Sequence, residues 1–150
     1  MKIVVDTNIA FSAVLNSTGK IGDLLMNSEG IFEFFGCDFL KEELAEHHKK
    51  LKKISGLNDL EIETSKGRIF SKITFINTLL IPIEIILEAE MLVANIDPDD
   101  TEHVALTLYL QGFLWSGDKR LRQGLRQRSI PWVLNTDEML ELRYSLDQQK

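Results

Sequence analysis

Lys2-Ile3-Val4-Val5-Asp6-Thr7-Asn8 is the stretch on which the fold turns. Three β-branched apolar residues in a row make a short buried strand, and the acid and two polar residues that follow cut it off. A helix is expected directly afterwards, from about Asn8 to Leu15, before the polar break Asn16-Ser17-Thr18-Gly19. A strand that ends in a carboxylate and runs into a helix is the opening unit of a parallel α/β sheet.

Working outward, the same alternation recurs. Residues 20–28 read as a short helix with Ile21, Leu24 and Leu25 on one side, and Ile31–Phe35 as the second strand. A long helix is expected from a cap at Asp38 to about Ile54, with Phe39, Leu40, Leu44 and Leu51 facing inward and Gly56 as its stop. Asn58 with Glu61 opens the next helix in capping-box fashion, running to about Ile73. Leu79–Pro82 is expected as the third strand and Glu84–Val93 as a helix. Asp97 and Pro98 mark the start of a helix that ends near Gln111. Phe113–Ser116 gives a fourth strand, Lys119–Arg126 a helix, Pro131–Leu134 a last strand and Thr136–Tyr144 a closing helix capped by Thr136. This order predicts one α/β domain over residues 1–150, a three-layer α/β/α arrangement around a mostly parallel sheet of about five strands, with a frayed tail after about residue 146.

Composition agrees with a packed domain. Of 150 residues, 44% are hydrophobic, enough for a core. No apolar run approaches the roughly 20 residues of a membrane helix. The apolar stretch behind Met1 is too short for a signal peptide, and the single Cys37 has no partner for a disulfide, so a cytoplasmic location is expected. The net charge of -6 speaks against nucleic acid as a partner, but distribution matters more than the sum. Lys49, Lys50, Lys52 and Lys53 form one basic cluster behind His47 and His48, and Lys119, Arg120, Arg122, Arg126 and Arg128 form another without an acid. Both have an ordinary account as solvated helix faces.

Sites in open parallel sheets form at the carboxyl ends of the strands. Asp6 closes the first strand, Asp118 lies just beyond the fourth, Asp100 stands in the first turn of the preceding helix, and Glu43 lies in the helix after the second strand. Each has a dull explanation as a cap, a turn residue or a surface charge. His47, His48 and His103 lack metal-ligand spacing and read as surface or core histidines.

Taken together the segments resemble the PIN-domain family. Val4-Val5-Asp6-Thr7-Asn8 is similar to its opening motif and Leu40-Lys41-Glu42-Glu43-Leu44 to its acidic helix. Asp97-Pro98-Asp99-Asp100 with His103–Leu108 resembles the segment of its third acid, and Ser116-Gly117-Asp118 its Ser/Thr-x-Asp turn; Val133–Thr136 matches its closing strand. The resemblance implies site acids at Asp6, Glu43, Asp100 and Asp118, supported by Asn8, Asp97 and Ser116. Glu42 competes with Glu43, and Asp97 or Asp99 with Asp100. It implies a ribonuclease dependent on Mg²⁺ or Mn²⁺, with Asp6, Asp100 and Asp118 holding metal. Hard all-oxygen ligands suit those ions. Candidates for contact with the RNA backbone are Lys49, Lys50, Lys119, Arg120 and Arg122. The family also suggests a toxin held silent by a small antitoxin, and homodimers, for which Ile69 and Phe70 are candidates although such side chains more often belong to the core. Two readings compete. One is a catalytically silent PIN-like module that binds RNA or protein. The other is a phosphotransferase with Asp6 as nucleophile, which Asn8 disfavours by standing where such enzymes carry a second aspartate.

Overall fold

The computed structural model describes residues 1–150. Its strands are β1 (Lys2–Val5), β2 (Glu33–Cys37), β3 (Ile73–Ile76), β4 (Phe113–Trp115) and β5 (Val133–Leu134). Its helices are α1 (Thr7–Leu15), α2 (Lys20–Met26), α3 (Leu40–Glu46), α4 (His48–Ser55), α5 (Asp59–Phe70), α6 (Ile83–Val93), α7 (Thr101–Leu110), α8 (Lys119–Gln127) and α9 (Thr136–Asp147). The strands form one sheet, all parallel, in the order β3-β2-β1-β4-β5.

Period-2 alternation along the strands builds two cores, one on each face. Ile3 and Val5 of β1 and Trp115 of β4 join the larger cluster with Ile9, Leu24, Leu44, Leu51, Ile62 and Met139. Val4 and Leu114 point the other way, onto Val93, Val104, Leu106, Leu121 and Leu125. The three-layer α/β/α architecture expected from the alternation of elements is therefore present. No helix is long and apolar enough to cross a membrane.

Four expectations are corrected. The second strand begins and ends two residues later than expected, at Glu33–Cys37. The third strand is Ile73–Ile76 rather than Leu79–Pro82, because Phe34 to Cys37 pair with Ile73 to Ile76 in register. Beyond it, Asn77 accepts a hydrogen bond from the Leu79 amide at 2.9 Å and curls Thr78–Leu80 into a 3₁₀ turn. Leu79 and Leu80 are left 89% and 67% exposed, which a strand inside the sheet would not allow. The long helix from Asp38 breaks at His47 into α3 and α4. Asp38 does not cap it; its amide instead bonds the Ile76 carbonyl at 3.0 Å and extends the β2–β3 ladder. The break lets Leu40 and Leu44 of α3 and Leu51 of α4 all enter one core, with α4 beside α1 and α5. Last, α9 is capped by Asn135 in a capping box with Glu138; Thr136 takes a hydrogen bond from the Trp115 indole at 3.1 Å.

Of the two readings open for Ile69 and Phe70, core or dimer contact, the structure gives the core. Ile69 is fully buried and Phe70 packs edge-on against Phe75, so both serve the core. Large exposed apolar side chains gather instead on Leu79, Leu80, Ile83, Leu87 and Met91.

Candidate active site

Val5 pairs with Trp115, so the carboxyl ends of β1 and β4 lie side by side. The sheet order diverges at this point, toward β2 and β3 on one side and β5 on the other. Such a switch point leaves a crevice above the strand ends. Here it is a cleft of about 570 Å³ lined by Asp6, Glu43, Asp97, Asp99, Asp100, Glu102 and Asp118, with Thr7, Asn8, Phe39, Pro98 and His103. All four acids singled out from sequence line this one cleft. Glu43 faces it from α3, while its neighbour Glu42 is exposed and lies outside it. Asp97 and Asp99 line it as well as Asp100.

The dull explanations and the site turn out to be compatible, because a carboxylate has two oxygens. Asp6 caps α1 by accepting from the Ile9 amide at 2.8 Å. Asp118 caps α8 through the Leu121 amide at 3.0 Å. Asp97 caps the 3₁₀ turn Pro98–Asp100 through the Asp99 amide at 3.0 Å. Ser116, buried beneath the cleft, accepts from the Asp118 amide at 3.1 Å, and its hydroxyl is hydrogen-bonded to the Asp6 carboxylate. Ser116 therefore ties the first acid to the fourth. The Asn8 backbone amide also serves Asp6, while its side chain opens to the cleft.

The electrostatics are strained. Asp6 is only 5% exposed, and burial first, then the charge of Asp118, pushes its pKa up to about 6 against opposing hydrogen bonds from Ser116 and Ile9. Asp100 is raised to about 7, by burial and then by Asp118, Asp97 and Asp6. Its Oδ2 is buried without any hydrogen-bond partner. Carboxylate oxygens of Asp97, Asp100 and Asp118 lie within 4.8 Å of one another. Asp6 adjoins this group and is coupled to it through charge, with one oxygen spent on the α1 cap. An orphaned carboxylate oxygen among acids that repel one another is the condition a divalent cation relieves, since it favours the ionised form of each. The donor set is all oxygen, which fits a hard ion such as Mg²⁺ or Mn²⁺.

The PIN domain family matches this sequence over residues 4–142. The chain belongs to the PIN-domain family. Among solved structures, a chain of the crystal structure of VapBC2 from Rickettsia felis bound to a DNA fragment from their promoter is similar, with a TM-score of 0.63. The match covers 90% of this chain and 98% of that one at 15% identity, so the likeness is one of fold. No curated protein gives a significant match.

Four further residues line the cleft of this PIN domain, Thr7, Phe39, Pro98 and Glu102, to none of which the sequence assigned a site role. A fifth, His103, reads from sequence as an ordinary core or surface histidine. It is indeed buried, yet it also lines the cleft, with Nε2 3.3 Å from Thr7 Oγ1 and its ring 5.4 Å from that of Phe39. Burial pushes its pKa down to about 4, so the imidazole is uncharged at neutral pH, and its Nδ1 has no partner. The available signal was spacing: His103 follows Asp100 by three residues and so shares its side of α7. The basic candidates divide. Lys119 and Arg120 are exposed on α8, but Arg122 is turned toward Glu138 at 3.7 Å, as is Arg126. Lys49 and Lys50 are exposed on α4, away from the cleft lining, and the Lys50 ammonium rests 5.4 Å from the Phe11 ring centre.

Proposed function

We propose that this PIN domain is a divalent-metal-dependent endoribonuclease that hydrolyses RNA phosphodiester bonds in the cleft, as the toxin of a toxin–antitoxin pair in the cytoplasm. The observation that carries it is the convergence of Asp6, Glu43, Asp100 and Asp118 on one cleft, with the partnerless oxygen of Asp100 among three close carboxylates. Asp100 and Asp118, with Asp97 or Asp6, would hold Mg²⁺ or Mn²⁺. Such an ion supplies Lewis acidity toward the phosphoryl oxygens and toward water.

The chain's own groups do the rest. Glu43 accepts the proton of the attacking water at its carboxylate as the water oxygen bonds phosphorus and the ester P–O bond breaks, the leaving ribose oxygen taking a proton from solvent. Asn8 offers its amide at the mouth of the cleft to orient the phosphodiester. Ser116 holds Asp6 and the Asp118 turn in mutual register, and the uncharged His103 fixes the Thr7 hydroxyl without adding positive charge. No side chain is needed as a nucleophile.

A partner follows from the same reading. The VapBC2 structure is named for a complex, and an acidic cleft suits a small antitoxin that places a cationic side chain in it. Incubation of labelled RNA with wild type and with Asp118→Asn, in Mn²⁺ and in EDTA, tests the proposal. Cleavage by wild type in Mn²⁺ alone supports it. Equal cleavage by both proteins overturns the chemistry, and no cleavage by either leaves the silent binding module as the better account.

A further inference from the structure

A second groove, of about 650 Å³, runs along α8 beside the acidic cleft. Its walls carry Lys119, Arg120, Gln123, Gln127, Arg128 and Asn95, and no acid lines it. In a chain of net charge -6 that is a local reversal of sign. Of the protein's fourteen other lysines and arginines, eight are paired with an acid, among them Arg122 and Arg126 with Glu138 and Arg143 with Asp23, while Lys2, Lys41, Lys49, Lys50, Lys53 and Arg68 are not. Lys119 and Arg120 have no acidic partner either, and with Arg128 they share one groove that no acid lines. Arg128 bonds only carbonyls, giving Nη1 to Leu92 O at 3.0 Å and Met91 O at 3.5 Å, which fixes its position and leaves its charge uncancelled.

The floor explains the shape. Leu121 and Leu125 bury the opposite side of α8, so positions 119, 120, 123, 124 and 127 fall on the groove side. Gly124 lies midway among them, and a Cβ there would stand 2.7 Å from Ile96 Cδ1. Gly124 thus lets Ile96 pack close and keeps the trough between the cations free of a side chain. Groove and cleft are built from the same two segments. Residues 95–97 give Asn95 to the groove and Asp97 to the cleft, and residues 118–120 give Asp118 to the cleft and Lys119 and Arg120 to the groove.

We infer that this groove binds the phosphodiester backbone of single-stranded RNA and leads it into the acidic cleft. The inference builds on the ribonuclease reading and adds to it the path of the strand. Unpaired cations spaced along a helix neutralise successive phosphates, while the amides of Asn95, Gln123 and Gln127 supply neutral hydrogen bonds beside them. Binding should then be independent of sequence and steeply dependent on salt. The lysines of α4 take no part.

The test measures binding of a fluorescent oligouridylate by anisotropy in EDTA, where affinity is read whether or not the protein cleaves. Lys119→Gln/Arg120→Gln is compared with Lys49→Gln/Lys50→Gln, which removes equal charge from α4; both pairs are exposed, and circular dichroism confirms folding. The groove variant should bind at least tenfold more weakly, with the slope of log affinity against log salt shallower by about 1.4, or 0.7 for each lost phosphate contact. The α4 variant should keep the wild-type slope. Unchanged affinity in the groove variant, or an equal loss in both, overturns the inference. Cleavage in Mn²⁺ is scored separately, so a protein that cleaves RNA yet ignores the groove substitutions refutes the groove and not the nuclease.

Discussion

Carboxylate oxygens of Asp100 and Asp118 stand within 4.8 Å of each other across the cleft, bringing the start of α7 against the start of α8. Without a cation, burial together with three neighbouring acids makes Asp100 hold its proton well above the usual carboxylate range. The unfolded chain releases this proton near the ordinary value of 3.8, whereas the folded chain holds it to about 7. The folded state therefore binds more protons in between, and its stability falls as pH rises through that window. Asp100→Asn removes the effect. Metal-free Asp100→Asn should match wild type near pH 4 and exceed it near pH 8 by about 1 kcal/mol, once solvent screening at this part-exposed site is allowed for. Denaturant titrations at both pH values check this; an advantage that shrinks as pH rises would refute it. Comparing the two proteins also cancels His103, whose depressed pKa acts with the opposite sign between about 4 and 6.5.

Metal binding should reverse the same penalty. At Mn²⁺ concentrations a hundredfold above its dissociation constant, wild type should gain about 2.7 kcal/mol near pH 8. Asp118→Asn should lose most of that gain in a thermal-shift measurement. Equal shifts in both proteins would mean that the ion binds elsewhere.

Capping and cleft roles at Asp118 can be separated by choice of substitution. Asparagine caps a helix nearly as well as aspartate, whereas alanine leaves the Leu121 amide unserved. Asp118→Asn should fold at least as stably as metal-free wild type and yet fail to cleave RNA. Asp118→Ala should be about 1 kcal/mol less stable than Asp118→Asn. Equal stability of the two would show that the cap contributes nothing.

How far the sequence carried these conclusions varies with the range of the forces involved. The strand at Ile3–Val5, the capping box at Asn58 and the Asp97-Pro98 start were legible because each is fixed by residues a few positions apart. The third strand was not. Ile73–Ile76 and Leu79–Pro82 are both short apolar runs, and only pairing with Phe34–Cys37, some forty positions away, selects the first. The break at His47 was hidden for the same reason, since only the different packing surfaces of α3 and α4 require it. Among the cleft residues, Asp6, Glu43, Asp100 and Asp118 were legible through motif resemblance. The closeness of Asp97 to Asp100 and Asp118 depends on how the 3₁₀ turn curls, and the placing of His103 against Thr7 depends on how α7 meets β1. Periodicity reports neither.

Gly22 is an instance of local backbone packing that composition does not reveal. It is buried in α2, and a Cβ there would stand 2.2 Å from the Ser17 carbonyl oxygen and 2.4 Å from its carbon. Backbone cannot yield as a flexible side chain can. Gly22→Ala should destabilise the domain by about 2 kcal/mol, despite alanine's better helix propensity. Denaturant unfolding reads this directly; a stabilised variant would mean that the 16–19 break relaxes freely.

Glu42 and Glu43 offer the sharpest test of the proposed chemistry, because they are adjacent, identical in type and differ only in direction. Glu43 lines the cleft and Glu42 is exposed outside it. A group that takes a proton in the rate-limiting step contributes about 10²–10⁴-fold, whereas a surface carboxylate on the same helix contributes little. Glu43→Gln should lower kcat in Mn²⁺ by at least a hundredfold with little change in metal-induced thermal shift, since it orients water rather than holding the ion. Glu42→Gln should stay within about twofold of wild type. Were Glu42→Gln the more damaging change, α3 would present its other face to the substrate. Were Glu43→Gln to abolish the metal-induced shift along with activity, Glu43 would be a ligand, and the proton would have to leave through another of the cleft carboxylates, with Asp99 and Glu102 the lining acids left without a role.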